Sequence, residues 1–144
     1  MLKVQVNQLE LNKTIGNINR LNGQMRRRAG QIINYHALII ESNAKKAVPV
    51  DTGTLRASIM TVKENSFNRT VGTRVEYAPY VEFGTKDKVD TTISGVDYSR
   101  VAKQFKKSNG GAGGVRPRPY LFPAFEAEKP KVQNALRRLV KYGR

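Results

Sequence analysis

The clearest pattern in the chain is an apolar stripe over residues 24–47, where apolar side chains recur every three or four positions. This spacing places them on one face and predicts a long amphipathic helix. We expect the helix to end before Pro49, because the residue that precedes a proline avoids the α-helical backbone conformation. The stripe consists of Met25, Ala29, Ile32, Ile33, Ala37, Leu38, Ile39, Ile40, Ala44 and Ala47.

Shorter segments show the features that are typical of β-strands. Residues 2–6 alternate apolar and polar side chains and predict a short strand. Residues 54–64 alternate in the same way, and residues 69–76 are rich in β-branched side chains, so two further strands are expected there. The segment 65–68 between them suits a hairpin loop. A weaker helical stripe over residues 8–21 precedes the long helix.

The second half of the chain predicts a long insertion followed by another helix. Residues 85–115 include a glycine-rich run, and we expect this insertion to be flexible. Within it, one short amphipathic helix would have an apolar face made of Tyr98, Val101, Ala102 and Phe105. Residues 121–140 again carry apolar side chains at helical spacing, and Pro130 among them predicts a kink or the start of a second helix.

These elements together predict an α+β fold in a single domain over residues 1–144. A small antiparallel sheet would pack against the long helix of the N-terminal half and against the C-terminal helix. A chain of 144 residues is the usual size of one domain and is long enough to bury a core without disulfide bonds.

The residue types restrict the possible chemistry. The absence of cysteine excludes a disulfide framework, a thiolate zinc site and a cysteine nucleophile. His36 is the only histidine, so a two-histidine metal site or a Ser-His-Asp triad would need a second chain, and we expect a core or interface role for it. We therefore expect no catalytic residue, no cofactor and no metal. No signal peptide and no membrane span are recognisable, so a soluble protein made in the cytoplasm is expected.

The charge indicates a negatively charged partner. Lysine and arginine total 26 against 11 acidic residues, which gives a net charge of +15. Such a field favours DNA, RNA or an acidic protein surface, although a merely solvated basic surface is an equal alternative. The candidates for a DNA path or an acidic partner are Arg26, Arg27, Lys103, Lys106 and Lys107. Most aromatic residues fall inside apolar segments, so sequence-specific reading of a nucleic acid is not expected.

Three turn-rich phrases, at residues 48–59, 75–85 and 116–126, combine proline or glycine with apolar and aromatic residues. The first contains Asp51-Thr52-Gly53, the local signature of aspartic proteases, in which each half of the enzyme supplies one aspartate. The predicted helix that runs straight into the triplet favours a structural turn instead. In that turn Pro49 fixes φ, Asp51 accepts downstream amides and Gly53 tolerates a positive φ.

The other two phrases predict a short helix and a rigid connection. Tyr77, Tyr80, Val81 and Phe83 would pack inward from one helical turn capped by Gly84. Glu82 in that turn would pair with an arginine, for which the candidates are Arg56, Arg116 and Arg118. Residues 116–120 form an extended lead-in to the last helix. Its two arginines would contact an adjacent subunit or face solvent.

In this order, the three phrases resemble the "gene product ten" family of HK-type lambdoid siphophages. Members of that family are neck or tail-completion proteins of long-tailed, double-stranded DNA bacteriophages. The resemblance implies an α+β protomer that forms a ring, with six subunits favoured over twelve, at the head–tail junction of the virion. That ring would complete the tail, join it to the filled head and leave a channel for DNA. The resemblance implies no catalytic residues.

The resemblance also implies partners. These are further copies of the chain, a head-closure or connector protein, a tail terminator or tail tube protein, and passing double-stranded DNA bound without sequence specificity. No membrane partner is implied. The virion would be assembled in the host bacterial cytoplasm. We expect the ring contacts to come from Tyr77, Tyr80, Glu82, Phe83, Arg116, Arg118, Tyr120 and Phe122. The structural turn would be formed by Pro49, Asp51, Thr52 and Gly53. A non-specific nucleic-acid-binding protein and, less favoured, a dimeric aspartic protease that uses Asp51 are the alternatives.

Overall fold

The computed structural model describes residues 2–5, 23–85, 92–102 and 114–143. It confirms the α+β fold class: a small antiparallel sheet packs with a long helix in the N-terminal half and a long C-terminal helix. The helices are α1 (Gly23–Ala47), α2 (Thr54–Ser58), α3 (Ala78–Phe83), α4 (Ser99–Ala102) and α5 (Leu121–Tyr142). The strands are β1 (Leu2–Gln5), β2 (Met60–Lys63), β3 (Arg69–Thr73), β4 (Thr92–Ile93) and β5 (Val96–Asp97).

Helix α1 forms as the apolar stripe predicts and ends at Ala47, before Pro49. Its buried positions are Ala29, Ile33, Ala37, Ile40 and Ala44. Three of these five are alanines, and small side chains let a neighbouring helix approach closely. Helix α5 packs along this face, and α1 also covers β2 and β3, so the core lies between the two long helices and the sheet.

The sheet has the strand order β1-β3-β2, and both pairs are antiparallel. The central strand β3 is buried along its whole length. Gly72 in this strand lies against β1, where an added Cβ would be 2.3 Å from the carbonyl oxygen of Leu2. Because such an approach is too close for any side chain, glycine is required for β1 to pair with β3.

One strand prediction is wrong in its first half. Residues 54–58 form helix α2, and strand β2 covers only residues 60–63 of the predicted strand 54–64. Gly53 has a φ of 82° and starts the helix, and the Ser58 hydroxyl donates to the carbonyl of Leu55 at 2.7 Å. A segment this short carries too few turns for periodicity to separate a helix from a strand. The hairpin loop is confirmed, since β2 and β3 are antiparallel neighbours.

Part of the predicted insertion packs onto the core. Residues 92–97 form the β4–β5 hairpin, and α4 follows directly. Tyr98 stacks edge-on against Phe122, with ring centroids 4.4 Å apart, and Ile93 and Ala102 are buried. Residues 86–91 and 103–113 of the insertion, the latter including Phe105, lie outside the described residues, as does the predicted helical stripe over residues 8–21.

Helix α5 continues through Pro130 as one element, so the alternative of a second helix starting there is wrong. Pro130 is exposed, while Glu128 and Val132 on either side of it are buried. Packing on both sides of the proline therefore outweighs the cost of its missing N–H. Residues 114–120 reach the helix without forming helix or strand, as expected for the Arg-Pro-Arg-Pro segment.

Candidate functional site

The three turn-rich phrases converge on one groove of about 550 Å³, which we call the motif groove. The turn after α1 and helix α2 form one side, α3 contributes a second side, and the lead-in to α5 forms a third. Segments far apart in the chain therefore build a single surface feature. Its lining residues are Pro49, Val50, Asp51, Thr52, Gly53, Leu55, Arg56, Tyr77, Val81, Val115, Arg116 and Arg118.

In the first phrase, residues 51–53 bend the chain between α1 and α2. Gly53 adopts a left-handed conformation, and its carbonyl accepts the amide of Ala57 at 2.9 Å as α2 begins. The hydrogen bond across the turn comes from Thr52, whose Oγ1 accepts the Thr54 amide at 3.4 Å, rather than from Asp51 as expected. Asp51 is exposed between two helices. The strand that carries the aspartate in an aspartic protease is replaced here by the end of α1.

The second phrase forms the predicted single helical turn, α3. Gly84 caps it with a φ of 77° and donates its amide to the carbonyl of Tyr80 at 3.0 Å. Phe83 is fully buried and packs on Phe122 with ring centroids 5.3 Å apart. Tyr77, expected to point inward, is instead 46% exposed and lies at the motif groove.

Glu82 makes the contact that links the second phrase to the third. Its fully buried carboxylate accepts the backbone amides of Tyr120 at 2.9 Å, Leu121 at 3.0 Å and Phe122 at 2.9 Å. These residues begin helix α5, where four N–H groups have no partner inside the helix. The fourth position is Pro123, which has no N–H, so one carboxylate and one proline account for the whole helix start.

The predicted pairing of Glu82 with an arginine is therefore wrong. Burial raises the pKa of Glu82, while the three amide donors act against that rise because they stabilise the charged form. The partial positive charge at a helix N-terminus also favours an anion at this position. The phrase Val-Glu-Phe-Gly thus supplies a cap for a helix that begins about forty residues later in the chain.

Backbone hydrogen bonds fix the third phrase beside α3. The Arg118 amide donates to the carbonyl of Val81 at 2.7 Å. Two further hydrogen bonds join Thr85 to Val115. The Thr85 amide donates to the carbonyl of Val115 at 3.0 Å, and the Val115 amide donates to Thr85 Oγ1 at 2.7 Å. The lead-in is consequently held in one position, and its arginine side chains are presented from a fixed backbone.

The motif groove presents cations without partners. Arg56, Arg116 and Arg118 are exposed, and none of them makes a side-chain hydrogen bond or an ion pair within the described ranges. Asp51 is the single acid among the lining residues. Exposed apolar side chains of Val50, Tyr77 and Val115 lie between the charges. Arginine and tyrosine beside apolar side chains are the composition that is enriched at protein–protein contacts.

Burial divides the eight predicted ring-contact residues into two groups. Glu82, Phe83, Tyr120 and Phe122 lie in the core of the protomer, where they hold α3 against α5. Tyr77, Arg116 and Arg118 line the motif groove, and Tyr80 is half-buried on α3. The sequence did not single out Val50 and Val115, because isolated valines in turns carry no periodic signal.

His36 belongs to a charged network between the two long helices. Its Nδ1 lies 2.8 Å from Oε2 of Glu128, and Nζ of Lys131 lies 2.6 Å from the other carboxylate oxygen. Burial acts to raise the pKa of Glu128, but the hydrogen bonds from Lys131 and His36 outweigh it and lower that pKa. His36 therefore contacts Glu128, a residue that was not predicted to have a role. Glu128 occupies a buried position in the apolar stripe of α5, and a carboxylate at such a position is the sequence feature that could have identified it.

The basic candidates outside the motif groove lie elsewhere on the molecule. Arg26 and Arg27 line a separate groove, while Arg28 points to another side and donates to the carbonyl of Gly143 at 2.6 Å. Lys103, Lys106 and Lys107 lie outside the described residues. In the described part of the chain, no group of three or more potential metal ligands occurs, and no helix is long and apolar enough to span a membrane.

The family comparison matches the first two phrases. A family model described as "HK97-gp10_like: Bacteriophage HK97-gp10, putative tail-component" matches residues 12–84, about half of the chain. The match includes α1, the turn, α2, the β2–β3 hairpin and α3. No curated protein and no solved structure matches the chain.

Proposed function

Because the chain belongs to the HK97 gp10-like family of bacteriophage tail components, we propose that it is a structural virion protein that forms a closed ring at the head–tail junction. In this role it completes the tail, joins it to the DNA-filled capsid and leaves a channel for DNA. The family membership identifies a component of the phage tail. The ring, its position and its channel are our extension of that membership.

The observation that carries the proposal is the motif groove. A ring subunit needs two unlike surfaces that meet around a closed rotation. The groove provides one such surface, with three guanidinium groups that have no partner in the described part of the chain and with exposed apolar side chains in the same lining. An arginine forms strong bidentate pairs with carboxylates, so the matching surface of the next subunit should bring acidic and apolar side chains.

The construction of the groove also supports this role. Glu82 and the backbone bonds of Arg118 and Thr85 hold the groove walls together from within the protomer. A rigid surface loses little conformational freedom when it binds, and this favours assembly. We propose six subunits per ring rather than twelve, with a head-closure or connector protein on one side and a tail terminator or tail tube protein on the other.

Charge reversal in the groove tests ring formation. We expect the purified protein, alone or with tail tubes, to give closed rings by native mass spectrometry and negative-stain electron microscopy. The double variant R116E/R118E should stay folded but fail to close rings. The matched control R137E/R138E makes the same charge change at exposed positions of α5, outside the groove, and should assemble normally. Equal loss of assembly in both variants would show that overall charge, not the groove, drives association.

The position in the virion needs a separate test. Gold-labelled antibodies against the protein should mark the collar between capsid and tail in purified virions. Label along the tail tube or at the distal tip would contradict the proposed position while leaving the family membership intact. A folded protein that stays monomeric at all concentrations, and also in the presence of tail tubes, would contradict the ring.

A further inference from the structure

A second groove, of about 570 Å³, lies between the N-terminal half of α1 and the β2–β3 hairpin, and we call it the basic groove. Among the residues that the structure describes, its lining contains four cationic side chains and no acidic one. Two amide side chains, those of Gln31 and Asn34, lie among the charges. The polar residues named here are Arg26, Arg27, Gln31, Asn34, Lys63 and Arg69.

A glycine allows the two walls of the basic groove to meet. Gly30 of α1 lies under the hairpin loop, and a Cβ at this position would be 2.7 Å from the carbonyl oxygen of Ser66. Any other residue would push the loop away from the helix. The close contact brings the exposed arginines of α1 to the same groove as Lys63 and Arg69 of the hairpin.

Arg69 gives the groove a positive charge that forms no ion pair with an acid among the described residues. The side chain is 95% buried, since only 5% of its surface is exposed. It donates to Asn34 Oδ1 at 2.9 Å, to the carbonyl of Asn68 at 3.0 Å and to the carbonyl of Asn65. All three acceptors are uncharged, and Nη2 makes no hydrogen bond within the described part of the chain. A buried cation without a carboxylate is costly unless an anion approaches it.

The other three cations are accessible. Arg26, Arg27 and Lys63 are all exposed, and the guanidinium of Arg26 is positioned over the Phe67 ring, 5.7 Å from its centroid. None of these three makes an ion pair with an acid in the described ranges. Guanidinium groups suit the geometry of phosphate oxygens, and the neighbouring amides can donate to the same oxygens. The groove therefore presents donors on both walls.

We infer that the basic groove binds the phosphate backbone of double-stranded DNA without reading its sequence. Double-stranded DNA carries about one negative charge per 1.7 Å of helix axis. The four cations that α1 and the β2–β3 hairpin bring to the basic groove provide positive charge for several of these phosphates. Contacts to phosphates position a protein on DNA but carry no sequence information. The inference goes beyond the proposed function, because a ring can surround DNA without touching its phosphates.

The dependence of DNA affinity on salt tests the inference. We compare the wild-type protein with R26Q/R27Q/K63Q, and with R137Q/R138Q/K141Q on α5 as a control with the same loss of charge outside the groove. The probe is a fluorescent duplex of random sequence, and anisotropy gives the affinity at several salt concentrations. Arg69 is left unchanged because its three hydrogen bonds support the hairpin.

The groove variant should bind DNA more weakly and lose salt dependence. Each phosphate contact contributes about 0.9 to the slope of log affinity against log salt, so losing three contacts should reduce the slope by roughly 2.7. The control should change the slope by clearly less. Equal slopes for the two variants would overturn the inference, because diffuse charge would then explain binding. Displacement of the DNA by polyglutamate at equal charge concentration would overturn it too, in favour of an acidic protein partner.

Ring assembly separates this result from the proposed function. Native mass spectrometry of R26Q/R27Q/K63Q should show the same assembly as the wild type, because the basic groove is distinct from the motif groove. Loss of DNA binding with intact rings supports the inference. Intact rings with unchanged DNA binding reject it and leave the ring proposal standing.

Discussion

At the scale of single residues, Glu82 holds the second phrase against the third. Its carboxylate accepts three backbone amides at the start of α5, and its own helix α3 forms a wall of the motif groove. A helix start inside a protein needs acceptors for its free N–H groups, and a buried start without them is strongly unfavourable. Glu82, between Val81 and Phe83, thus has a structural role that its residue type alone does not reveal.

The substitution Glu82→Gln tests this role. Glutamine keeps a single acceptor oxygen and places an NH₂ group against backbone N–H donors, so buried donors are left unsatisfied. We expect a loss of about 1–3 kcal/mol in the free energy of unfolding, a typical cost for an unsatisfied buried polar group. Chemical denaturation measures it, and Glu76→Gln, an exposed position in the same phrase, is the control with unchanged stability. Equal unfolding midpoints for the two variants would reject the capping role.

At the scale of elements, the periodicity of apolar residues was sufficient to predict a helix where it extended over many residues. Helix α1 and its end before Pro49 could be predicted because six turns of stripe leave little ambiguity, and Gly84 marked the end of α3. The five-residue helix α2 and the two-residue strands β4 and β5 were missed or misassigned, since contacts with neighbouring elements decide such short segments more than propensity does. The alternative of a second helix that starts at Pro130 was wrong for the same reason, because packing against α1 and β1 keeps α5 continuous.

The pairing of α1 with α5 gives a pH-dependent prediction. The pKa of Glu128 is lowered from 4.5 in the folded state, so the interactions of its carboxylate with Lys131 and His36 add stability above pH 4.5. That stability is lost as the pH falls through the folded pKa. The stability difference between the wild type and Glu128→Gln should thus be largest near pH 7 and shrink below pH 4.5. Urea denaturation at a series of pH values measures the difference. A difference that stays constant from pH 7 to acid would mean that packing, not charge, explains the loss.

At the scale of the whole molecule, the sequence revealed the parts of the candidate site but not their arrangement. The three phrases were recognisable as units, and two arginines of the third were expected at a subunit contact. Their convergence with the Asp51 turn depends on contacts between residues about forty positions apart, such as Glu82 with Phe122. No local pattern encodes such a separation. The same holds for the basic groove, where α1 meets the hairpin through Gly30 and Ser66.

The mixed character of the motif groove predicts how the proposed ring should respond to salt. Contacts of exposed arginines are screened, because the Debye length falls from about 10 Å at 0.1 M to about 3 Å at 1 M ionic strength. Burial of Val50, Tyr77 and Val115 does not depend on charge, so assembly should weaken with salt and then reach a plateau. Mass photometry across a salt series measures the assembled fraction.

Two variants separate the charged from the apolar contribution to assembly. Tyr77→Ser should lower the plateau while R116Q/R118Q should flatten the salt dependence, since each variant removes one of the two contributions. If both variants changed the curve in the same way, the charged and apolar contacts would not be separable, and the groove would act as one cooperative surface.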